Sequence, residues 1–87
     1  MNHRINGVLT YTGIDIVRSK GGRIYKSTVK FKDKSGHKLY WQTKDNFYNE
    51  YIVTGEIEEG FLIMMSYTDV ITKGDITYIN RVKIDEY

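Results

Sequence analysis

The chain has 87 residues, 40% of them hydrophobic and 28% charged, which bounds it to one small packed domain over residues 1–87 and excludes wholesale disorder. It has no cysteine, which excludes disulfides, thiolate nucleophiles and Cys-type zinc sites. The net charge of +2 hides a division: residues 1–44 carry ten Lys or Arg against two acids, and residues 45–87 carry three against nine. Such polarity suits either a basic face for a polyanion or the self-association of complementary faces.

Alternation of apolar and polar residues dominates over helical spacing. Ile5 to Val17 reads as one long strand interrupted by Gly7 and Gly13, residues that mark bulges or bends in a curled sheet. Arg18-Ser-Lys-Gly-Gly-Arg23 reads as a basic loop, with Arg18, Lys20 and Arg23 around two flexible glycines. Ile24–Lys32 and His37–Lys44 read as a hairpin. Asp45 is the expected N-cap of a short helix ending near Val53, with Phe47, Tyr48, Tyr51 and Ile52 as its apolar stripe and Gly55 just past its end. Phe61–Val70 and Ile76–Ile84 complete the strands, joined by Thr72-Lys-Gly-Asp75.

The hairpin's register follows from its turn. A two- or four-residue loop pairs Lys32 with His37 and mixes charged and apolar residues on both faces. A three-residue loop, Lys34-Ser35-Gly36 with Gly36 left-handed, pairs Asp33 with His37 instead. Phe31 then faces Leu39, Val29 faces Trp41 and Ser27 faces Thr43. The other face carries Lys32 with Lys38, Lys30 with Tyr40, Thr28 with Gln42 and Lys26 with Lys44. A one-residue slip would exchange the faces, so the second register is preferred.

Like charges directly opposite one another destabilise a sheet, and no Glu occurs before Glu50 to relieve them. An anionic ligand lying along the lysine face would. Single-stranded nucleic acid is held by backbone neutralisation and base stacking. Tyr40, amid Lys26, Lys30 and Lys38, is the expected stacker, with Gln42 beside it as a hydrogen-bonding group. Trp41 is expected inward as a core anchor, with stacking its alternative; Tyr25, at the strand mouth, is open to burial or stacking. Lys44 and Lys73 extend the basic set.

Five strands with a helix between the third and fourth point to an all-β, five-stranded OB-fold barrel. The stretches "INGVLTYTGIDIV", "KFKDKSGHKLYW", "GEIEEGFLIMMSY" and "KGDITYINRVKI" together resemble an OB-fold nucleic-acid-binding domain over nearly the whole chain. In that family an Asp-x-x-Gly turn joins strands 2 and 3, here Asp33 to Gly36, and a glycine leads strand 4, here Gly60. The resemblance implies binding of single-stranded DNA, or of RNA, on the outer face of strands 2 and 3, flanked by the loops carrying Arg18, Lys20, Arg23 and Lys73. The paired aromatic-glycine motifs of the cold-shock branch are missing. Asp85-Glu86-Tyr87 echoes the acidic tip of bacterial single-stranded DNA-binding proteins, but no linker precedes it. A small phage- or mobile-element-type relative, working in DNA replication or recombination, is the better match.

An enzyme is not expected. His3 and His37 belong to no metal or triad spacing, Glu56, Glu58 and Glu59 read as a solvated run, and Lys20-Gly-Gly is too short for a P-loop. No metal or cofactor is expected. The longest apolar run, Phe61 to Met65, falls far short of the roughly 20 residues that span a bilayer. With no secretory signal visible at its start, a soluble cytoplasmic protein is expected. The competing reading is a protein-interaction module: Leu62 and Met64 have the opposite parity to Phe61, Ile63 and Met65. Were the latter three to fill the barrel, the pair would face outward toward a homo-oligomer or replication-protein partner.

Overall fold

The alternating pattern produces five strands in a computed structural model that describes residues 3–87, and the side chains of all of these except Asp69 and Val70. They are β1 (Ile5–Arg18), β2 (Ile24–Lys32), β3 (Lys38–Thr43), β4 (Leu62–Lys73) and β5 (Ile76–Glu86), with a short π-type helix, Tyr48–Val53, between β3 and β4. The strands close in the order β1-β2-β3-β5-β4, and β1 pairs with β4 to complete the barrel. All ladders are antiparallel except β3–β5, which is parallel. This is the OB-like all-β barrel expected from the element order, and its closure leaves few edges to protect.

Inward-facing residues of every strand fill the interior. Leu9 and Tyr11, Val29 and Phe31, Leu39 and Trp41, Ile63, Met65 and Tyr67, and Ile79 form one core, and Phe47 and Ile57 join it. The Phe47 ring packs at 5.9 Å from Trp41 and 6.2 Å from Tyr11.

The β2–β3 hairpin has the expected register: Val29 pairs with Trp41, Phe31 with Leu39, Lys30 with Tyr40 and Lys32 with Lys38. The Asp33 amide donates to the His37 carbonyl, and Gly36, at φ 81°, donates to the Asp33 carbonyl. The Asp33 carboxylate accepts from the Ser35 and His37 amides, fixing the turn from its side chain. The expected Lys26/Lys44 pair is not formed, because the ladder ends at Ser27/Thr43 and Lys44 lies in the bend beyond.

Gly13 sits at a bulge as expected, Thr12 being the extra residue, whereas Gly7 pairs regularly with Met65. The helix departs from expectation. Asp45 does not cap it: its amide donates to the Thr43 hydroxyl, and the cap position falls to Phe47, drawn into the barrel end by its aromatic neighbours. Gly55 (φ 79°) ends the helix as expected, donating to the Ile52 carbonyl. Phe61 does not fill the barrel; it precedes β4 and is partly exposed, while Ile63 and Met65 are buried. The last two strands run longer than expected and meet in a turn of only Gly74 and Asp75.

Candidate nucleic-acid interface

Two register relationships build the outer face. The β2–β3 ladder sets Lys30 beside Tyr40 and Lys32 beside Lys38. The parallel β3–β5 ladder then sets Tyr78 beside Tyr40 and Ile76 beside Lys38. Because β4 pairs Lys73 with Ile76 and Ile71 with Tyr78, the pairings line up as rows crossing four strands. One row reads Lys32, Lys38, Ile76, Lys73. The next reads Lys30, Tyr40, Tyr78, Ile71. Beyond it Thr28 pairs with Gln42. A basic row thus borders an aromatic one, with polar groups on the far side.

The aromatic row has a defined geometry. Tyr40 and Tyr78 meet edge to face, and the Lys30 ammonium lies 5.5 Å from the Tyr40 ring centroid, within cation–π range. Lys30 is also held by Asp15 of β1, its Nζ 2.8 Å from the carboxylate. That hydrogen bond raises the Lys30 pKa, with the carboxylate's charge adding to it, so the ammonium is firmly protonated. Lys38 lies 3.8 Å from Asp75 in the β4–β5 turn. Two of the face's lysines are therefore partly neutralised by neighbours that the hairpin alone does not reveal. Among the described residues Lys26 and Lys32 make no such ion pair.

The basic β1–β2 loop is a tight turn rather than a flexible one. The Ser19 amide donates to the Arg23 carbonyl, and Gly22, at φ 83°, donates to the Ser19 carbonyl. This repeats the three-residue design of the β2–β3 turn. Arg18 is partly spent in holding it, donating from Nη1 to the Gly22 carbonyl at 2.9 Å. Arg18, Arg23, Asn46 and Asn49 line a depression of ≈ 380 Å³ there. Lys20, Arg23 and Lys44 do not join the Lys32/Lys38/Lys73 row. They sit toward the other end of β2, about 20 Å away for Lys44 and about 26 Å or more for Lys20 and Arg23, at 3.3 Å per residue.

Tyr25 is the extra residue of a bulge, since Val17 pairs with Lys26 and Arg18 with Ile24. It is 52% exposed, so the burial alternative does not hold. Trp41 is buried at 7% exposure against Phe47, which agrees with its reading as a core anchor. Tyr78 is the residue sequence reasoning missed. Its outward parity between Thr77 and Ile79 was visible, but its position depends on the parallel β3–β5 pairing, which no local pattern encodes.

A second surface lies on the outside of β1 and β4. Val8 pairs with Met64, and Val8, Leu62 and Met64 are all exposed, Leu62 at 64%. Tyr87 closes one edge of the patch, though its hydroxyl donates to Glu56 and its ring meets Tyr51, so the terminal acidic segment is docked. Among the described residues no three His, Asp or Glu side chains cluster to hold a metal ion, and no helix is long and apolar enough to cross a membrane. No family model, curated protein or solved structure matches the chain.

Proposed function

We propose that the outer face of β2, β3 and β5 binds single-stranded DNA with little sequence preference. The observation that carries this reading is the Tyr40–Tyr78 pair in a row flanked by Lys32, Lys38 and Lys73. Partly exposed phenol rings offer stacking surface to any base, and an adjacent line of ammonium groups tracks a phosphate backbone. Lys26, Lys32, Lys38 and Lys73 neutralise phosphates, Lys30 stays with Asp15 beside the Tyr40 ring, Tyr40 and Tyr78 stack bases, and Gln42 bonds a base edge. The basic turn, Tyr25 and Lys44 extend the path past the far end of β2. This reading makes the chain a small OB-fold single-stranded DNA-binding protein that works in the cytoplasm in replication or recombination.

Fluorescence anisotropy with labelled oligo-dT, matched RNA and duplex DNA across a salt series tests it. With about four phosphate contacts, log K against log salt slopes near −3 for a single strand. Tighter binding of RNA than of oligo-dT reassigns the ligand. Absence of binding to any of them at low salt favours the second reading, a protein-interaction module using the exposed Val8/Leu62/Met64 face.

A further inference from the structure

β5 leaves its neighbour β3 after its first four residues. The parallel ladder runs from Lys38/Ile76 to Trp41/Ile79 and stops. At that point β5 carries a bulge, because Ser66 pairs with Lys83 and Thr68 with Asn80, so Arg81 and Val82 together oppose Tyr67. Arg81 adopts a left-handed conformation, φ 50°, unusual for a residue with a side chain. Its carbonyl accepts a hydrogen bond from Arg4, whose guanidinium also donates to the Ser66 carbonyl and hydroxyl. A bulge bends its strand, and this one is clamped from the far side of β4.

From Asn80 onward, β5 is paired with β4 alone among the described residues. A strand with one unpaired side is a template for another strand. A groove of ≈ 150 Å³ lies against it, lined by Val82 and Ile84 of β5 and by Trp41, Phe47 and Tyr51. Its charged lining is wholly acidic: Asp45 and Glu50.

From this we infer that the second half of β5 binds an extended segment of a partner protein, which adds as a strand beside Val82–Glu86. Alternate apolar side chains of that segment enter the groove, and Lys or Arg side chains between them meet Asp45 and Glu50. Main-chain hydrogen bonds give such a complex its affinity, and the alternate pockets give it selectivity. This surface is separate from the Tyr40–Tyr78 face and stands independently of the DNA reading.

The test uses the full chain and three labelled heptapeptides in which Lys alternates with Val, Leu or Phe. A block peptide of four Lys followed by three Val serves as control. At least one alternating peptide binds and slows hydrogen exchange at amides within Asn80–Glu86 by about tenfold. The double variant Asp45→Asn/Glu50→Gln, both exposed positions, loosens it by about tenfold with an unchanged melting temperature. Saturating oligo-dT leaves this binding in place. The inference is overturned if no alternating peptide binds, if the block peptide binds as well, if exchange is slowed elsewhere only, or if the double variant binds unchanged.

Discussion

Tyr40 and Tyr78 meet edge to face across the parallel β3–β5 ladder, their ring centroids 6.2 Å apart and their planes at 86°. Two residues 38 positions apart in the sequence thus form one aromatic step on a basic sheet. If both rings stack bases, Tyr40→Ala and Tyr78→Ala each loosen oligo-dT by about 5- to 150-fold, the range corresponding to about 1–3 kcal/mol per stacked base. Phe at either position keeps the ring and binds within about twofold of the original. Anisotropy titrations of the four variants check this, and normal binding by both Ala variants refutes the stacking assignment.

Asp15 competes with phosphate for Lys30. The 2.8 Å ion pair spends that ammonium within the protein. Asp15→Asn should therefore tighten oligo-dT binding and steepen the salt slope by about 0.7, the increment for one further phosphate contact on a single strand. Lys32→Ala shifts the slope by the same amount in the opposite direction. A salt series on the two variants separates the effects.

Alkaline stability depends on Tyr11. Burial pushes its phenol up from 10.0 to about 12, with the Glu59 carboxylate and Tyr48 contributing. Above pH 10 the unfolded chain releases this proton while the folded chain keeps it, so stability falls as pH rises from about 10 to about 12. The slope from one such group is about 1.4 kcal/mol per pH unit. Tyr11→Phe removes it. Urea unfolding at pH 8 and pH 11 should show the variant gaining about 1 kcal/mol relative to the parent at the higher pH.

Arg81 carries backbone strain that glycine relieves. A left-handed residue with a Cβ costs about 1–2 kcal/mol, against about 0.5–1 kcal/mol of added chain entropy for glycine. Arg81→Gly is therefore neutral or stabilising by up to about 1.5 kcal/mol, since the Arg4 contact uses the backbone carbonyl. Lys83→Gly, in the same strand without the positive φ, loses about 0.5–1 kcal/mol. Thermal melts of the two variants report the difference in sign.

What the sequence made legible was local. The hairpin register followed from two alternating strands and a glycine at the third loop position, and it put Trp41 inward and Tyr40 outward. The succession of elements along the chain, three strands, a short helix and two strands, followed from the alternating segments. Features that depend on distant pairing stayed hidden. Tyr78 reaches the face only through the β3–β5 pairing, and Asp15 reaches Lys30 only through β1. The β1–β2 turn was misread for a different reason. Its two glycines suggest flexibility, yet Gly22 serves the same left-handed role as Gly36 and makes the loop tight. Arg81 could not be anticipated, because nothing about an arginine announces positive φ. Asp45 looked like a cap, but the Thr43 hydroxyl bound its amide and Phe47 was drawn into the core.

Amide shift mapping of the ¹⁵N-labelled protein during titration with oligo-dT tests the central claim most directly, because it reports binding and its location together. The account predicts perturbations concentrated on Thr28–Lys32, Lys38–Gln42 and Ile76–Tyr78, with Val8, Leu62 and Met64 unmoved. Perturbations centred on Val8, Leu62 and Met64, or a spectrum unchanged at saturating oligo-dT and low salt, would contradict it.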